Sequence, residues 1–142
     1  MPRISWKRSM AAAPLTALLV GALLPQGGAQ IVGARSQISG TWRGNSQCVL
    51  KNSPCHDETN VYRFSELAAR PGWFSGSGSK VQSGKEIPMG TLDWRYDPTS
   101  HLLESKNPNG VFRFVVDDDK MEGTLLLPDG TVYRRISLTK VK

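Results

Sequence analysis

The densest run of chemically capable side chains is Cys55-His56-Asp57-Glu58. A histidine beside two carboxylates could take and return a proton or, joined by His101, offer ligands to a metal. Either use requires the side chains to converge. In a strand His56 and Asp57 point to opposite faces, so convergence would need a loop. The plainer expectation is that Asp57 or Glu58 caps the turn beside Cys55. Asp117-Asp118-Asp119 lacks the ligand spacing of a calcium loop and reads as a solvated hairpin tip. Serine, histidine and aspartate all occur, yet no Gly-x-Ser-x-Gly elbow surrounds a serine, so hydrolase chemistry has no support. The expectation is a non-enzyme with no catalytic residue, metal ligand set or cofactor.

The other chemistry on offer is apolar. Trp94 and Tyr96 share a strand face with Leu92, and Phe112 and Phe114 share one with Val116. These four aromatics, with Trp73, are the expected ligand-binding residues. They could line a small cavity or fill the interior solidly, since alternation reports the face and not the packing. Trp73-Phe74 stands beside Ser75-Gly76-Ser77-Gly78-Ser79, the most loop-like stretch of the chain. It could be a lid, a partner-binding patch or a plug.

The chain start is read as a leader. Arg3, Lys7 and Arg8 precede the apolar run Ala11–Leu24, and Gly27 and Ala29 suit a cleavage point. That order is a secretory signal peptide over 1–29, and the run is too short to span a membrane well. Residues 30–37 form a flexible lead, and 38–142 form one domain. No membrane span is expected after cleavage. Losing three basic residues takes the formal charge from +6 to about +3, and no basic cluster exceeds Arg134-Arg135, so nucleic acid is not an expected partner. Cys48 and Cys55, in an exported chain, read as one disulfide around Asn52-Ser53-Pro54.

The elements that must position these residues are strands. Alternating runs at Thr91–Asp97, His101–Glu104, Val111–Val116, Met121–Leu127 and Thr131–Val141 are separated by turn chemistry such as Asn107-Pro108-Asn109-Gly110 and Pro128-Asp129-Gly130. Upstream, strands are expected at Ile38–Lys51, Thr59–Glu66 and, briefly, Lys80–Ser83. Eight antiparallel strands in sequence close most economically into an up-and-down barrel, a two-sheet sandwich being the alternative. In such a barrel the first and last strands are neighbours, so Arg134 is expected to lie over the Trp42 indole and close one end.

Gly40-Thr41-Trp42 with a terminal arginine resembles the calycin group, the lipocalins and related barrels. More closely, Gly40–Gly44, Cys48, Cys55–Glu58, Val61-Tyr62-Arg63, Pro88–Asp93 and Leu127–Arg134 resemble a set of small secreted bacterial proteins without an established activity. The resemblance implies a lipocalin-like barrel and export, and carries over no catalytic residue. The chain is shorter than a lipocalin and has no evident C-terminal helix. The expected function is therefore a periplasmic or secreted monomer binding a small hydrophobic or amphipathic ligand. The alternative is an extracellular protein-binding module or enzyme inhibitor acting through the Cys48–Cys55 and Trp73-Phe74 loops.

Overall fold

The computed structural model describes residues 37–142; the leader and nearly all of the expected 30–37 lead lie outside the described residues. Eight strands follow in order: β1 (Gly40–Cys48), β2 (Glu58–Glu66), β3 (Trp73–Gln82), β4 (Lys85–Asp97), β5 (Leu102–Asn107), β6 (Gly110–Asp117), β7 (Lys120–Leu126) and β8 (Val132–Lys140). Each pairs antiparallel with the next, and β8 returns to β1 to close the barrel. Closure gives every strand a neighbour on both sides and an inside and an outside.

Several boundaries differ from the sequence expectation: β4 begins at Lys85 rather than Thr91, and β5 runs on to Asn107. β1 stops at Cys48, where the chain turns into the disulfide loop. β3 runs the full ten residues of Trp73–Gln82, so the stretch expected as a loop is a strand. Its inward positions after Phe74 are Gly76 and Gly78, with Ser75 and Ser77 outside. Glycine and serine differ too little in hydropathy for a period of two to be seen.

Inside, Trp42, Phe64, Phe74, Trp94, Leu103, Phe114, Met121 and Leu138 are almost wholly buried. Tyr62 and Phe64 turn inward, whereas Arg63 and Ser65 face solvent. The two ends of the cylinder are unlike. At the end where β1 begins, Ile38 is fully buried against the core. Its carbonyl accepts a hydrogen bond from Trp42 Nε1 at 2.9 Å. Lys140 Nζ lies 5.4 Å from the Trp42 ring centre and donates to the Gln37 carbonyl at 2.9 Å. The Tyr96 hydroxyl donates to Gln37 Oε1 at 3.3 Å. This is the closed end, and Gln37 is part of its seal.

The expected Arg134–Trp42 stack is not formed. In the β1–β8 ladder Trp42 stands opposite Lys140, while Arg134 stands opposite Cys48. Antiparallel pairing brings the start of β1 to the finish of β8, and Arg134 is near the start of β8. The cation over Trp42 is Lys140, and Arg134 belongs to the other end.

The seam is tightest at Gly44, where a Cβ would overlap the Ser137 carbonyl oxygen. Backbone cannot yield as a side-chain tip can, so Gly44→Ala should cost about 1–3 kcal/mol of stability. Urea unfolding of the variant checks this; a midpoint equal to that of the parent would refute the tight seam.

Candidate functional site

At the end opposite the Ile38 seal, the barrel wall parts. β4 pairs with β5 through Arg95–Glu104, Tyr96–Leu103 and Asp97–Leu102, all near the closed end. Beyond them the ladder stops, and Ser105 Oγ reaches across to the Asp93 carbonyl at 2.8 Å. On the other side of β4, the β3–β4 register slips: Gly78 faces Gly90 and Ser79 faces Pro88, so Met89 is the extra residue of a bulge. Gly90 takes φ +128°, a backbone that side chains rarely adopt. A bulge bends its strand, and it is one of the few places in a sheet that tolerates proline. β4 can thus leave β5 without losing β3.

The parting leaves a cavity of about 400 Å³ open at the mouth. Tyr62, Leu92, Phe112 and Leu125 make its apolar walls, and Met89 overhangs it. Asn107 and Asn109 stand at the rim, and no ionised side chain is in the lining. Room comes from β3, where Gly76 and Gly78 put no side chain into the space.

The floor is an aromatic layer centred on Trp94. Its ring stacks on Phe114 (5.4 Å, 12°), leans on Phe112 (5.4 Å, 46°) and meets Phe64 edge to face (5.3 Å, 89°). The indole presses so close to β3 that a Cβ on Gly76 would overlap Trp94 Nε1 and the Phe64 ring. Trp94 Nε1 is buried and has no hydrogen-bond partner. Tyr62 packs perpendicular to Trp94 at 6.1 Å. Burial raises its phenol pKa far above the usual value; Glu58 adds to the rise and Arg134 opposes it. The wall therefore presents a neutral phenol at physiological pH.

Beside the mouth lies a separate polar network. Arg134 Nη1 donates to Ser46 Oγ and to the His56 carbonyl, each at 3.1 Å, and lies 3.6 Å from Glu58 Oε1. Asn60 Nδ2 donates to the same Glu58 oxygen at 3.2 Å. Asp57 Oδ1 accepts from the Cys48 amide at 2.7 Å, capping the loop that the Cys48–Cys55 disulfide holds. Every member of Cys55-His56-Asp57-Glu58 thus has a structural partner, His56 through its carbonyl while the residue itself is exposed. His101 sits in the β4–β5 turn at the far end, so the two histidines cannot share a centre. Among the described residues no group of three His, Cys, Asp or Glu is placed to hold a metal, and no helix is long and apolar enough to cross a membrane.

Of the five aromatics expected to meet a ligand, Trp94 and Phe112 line the cavity. Phe114 is fully buried beneath Trp94. Tyr96 is in the closed half, bonded to Gln37. Trp73 opens β3 at the closed end, with the Arg70 guanidinium 3.9 Å from its ring centre, so it is no lid for the mouth. The Trp73-Phe74 segment and the disulfide loop stand at opposite ends and cannot form one partner-binding surface. Sequence reasoning missed Tyr62, Leu125, Met89 and the two glycines. An inward Gly-x-Gly opposite large aromatics was the available signal.

No protein-family model matches the chain. No curated protein matches it either. Among solved structures, the crystal structure of Rv2717c from M. tuberculosis is similar at TM-score 0.50 and 10% identity, covering 79% of this chain and 98% of that one. At that identity the likeness is one of fold.

The buried phenol gives a pH signature. Because the folded-state pKa of Tyr62 is raised, its contribution to stability is complete below the unfolded value of about 10 and is lost as pH rises above it. The stability difference between the parent and Tyr62→Phe should fall by about 1.4 kcal/mol per pH unit above pH 10. Denaturant titrations from pH 8 to 11 measure it, and a flat difference would remove the buried phenol from the account.

Proposed function

We propose that the protein is an exported, non-enzymatic binding protein that takes a small hydrophobic or amphipathic molecule into the cup. The carrying observation is the apolar cavity of about 400 Å³, sealed below by Trp94 and its neighbours and open at the mouth. Cavities of this size and lining are what small-molecule sites require. Export rests on the signal-like leader and agrees with the Cys48–Cys55 disulfide, since such bonds persist in oxidising compartments. Asp57, Glu58 and Arg134, near the mouth, are engaged in structural contacts, which favours binding over turnover. The likeness to secreted bacterial barrels noted in the sequence supports the same assignment.

Native mass spectrometry of protein purified from its own host should reveal a retained small molecule. Gly78→Val would project a side chain into the cup, where a Cβ has 3.3 Å to Tyr62 and 3.6 Å to Met89. Binding of the apolar dye Nile red should fall at least about tenfold in that variant, the loss of roughly 1.4 kcal/mol or more, with folding retained. Unchanged dye affinity would place binding elsewhere and defeat the proposal.

A further inference from the structure

Two tryptophans are buried in the barrel, and they are treated differently. Trp42, in the seal, donates its indole N–H to the Ile38 carbonyl at 2.9 Å. Trp94, under the cup, is 1% exposed and its Nε1 has no partner. A buried donor left unmade is costly, and such groups are uncommon in native interiors. The orphan is also well located. Trp94 and Gly76 both line the cavity, and Nε1 lies against Gly76, where no side chain intervenes. Nε1 is itself covered, so an acceptor in the cavity reaches it only if the indole turns toward the space that Gly76 leaves open.

We propose that the cup selects an uncharged, flat apolar molecule that enters with a hydrogen-bond acceptor leading, a carbonyl oxygen or ring nitrogen, and seats that atom on Trp94 Nε1. The inference rests on the binding role proposed above and narrows its ligand class. A charged leading group is disfavoured, because the lining offers no counter-ion and an unpaired buried charge is severely penalised. Arg134 and Glu58, the ion pair beside the mouth, hold each other together with Ser46 and Asn60. Polar substituents on the trailing end fit the rim, where Asn107, Asn109 and Thr91 stand.

Two probes of matched shape separate this from mere apolar filling: 2-acetylnaphthalene and 2-ethylnaphthalene, which differ by a carbonyl in place of a methylene. Each is titrated into the ¹⁵N-labelled full chain, read by affinity and by the indole N–H resonances. The ketone should bind about five- to tenfold tighter, the worth of one net hydrogen bond. It alone should move one indole resonance downfield, the one missing from Trp94→Phe. That variant should lose the preference for the ketone, binding 2-ethylnaphthalene at least as well. Equal affinities in the parent, with no such resonance shift, would overturn the inference while leaving the cup intact. Binding of neither probe would overturn the cup and the inference together. Should Trp94→Phe fail to fold, the affinity ratio and the resonance shift in the parent still decide.

Discussion

The structure depends on the pairing of β1 with β8, from Trp42–Lys140 at one end to Cys48–Arg134 at the other. Without that ladder the meander would be an open sheet with two exposed edges and no interior. With it, the chain preceding Gly40 must arrive beside the finish of β8. Ile38 is then available to drop into the end that those two termini define, and Trp42, Lys140 and Tyr96 fix it through Ile38 and Gln37. Closing one end in this way confines any opening to the other. Gly44 is the residue that lets the seam form, because β8 backbone occupies the place of its side chain.

Side-chain size along the strands then sets where the interior is solid. Phe74, Tyr96, Leu103, Val116, Met121 and Leu138 are all within a few residues of closed-end turns, and all are buried. Toward the mouth the inward positions pass to Gly76, Gly78 and Gly90, and the β4–β5 ladder lapses. Both changes act in one direction, removing filler and spreading the wall. The bulge at Met89 reconciles them, since it keeps β4 hydrogen-bonded to β3 while turning it from β5.

Much of the barrel was legible in the sequence because most of its strands alternate strongly between apolar and charged residues. The turns from Asn107 to Gly110 and Leu127 to Thr131 carry the residue types their backbones demand, including Gly130 at φ +86°. β3 was not legible, because its alternation is glycine against serine. The pairing of Cys48 with Cys55 was legible from their count and the signal-like start of the chain. The partner of Trp42 was not, since naming it requires the direction of pairing as well as the neighbourhood of strands. Trp94 and Phe112 were legible as inward aromatics, but so were Tyr96 and Phe114. Only depth distinguishes the pairs, and depth follows from which end of a strand a residue occupies and what its neighbours leave open.

The same geometry bears on the binding role proposed for the cup. Around the mouth, three charged side chains are engaged in holding the fold: Asp57 caps the disulfide loop, Arg134 ties Ser46 to the His56 carbonyl, and Glu58 joins Arg134 to Asn60. A group held by several partners is a poor proton carrier, because releasing or gaining a proton breaks bonds that the fold requires. Trp94 Nε1, by contrast, donates to nothing in the protein. It is a donor that ionises at no relevant pH, so it can recognise but not transform. A cup floored by such a group, walled by neutral side chains and closed beneath by a bonded tryptophan suits the proposed role of holding an apolar molecule in one orientation.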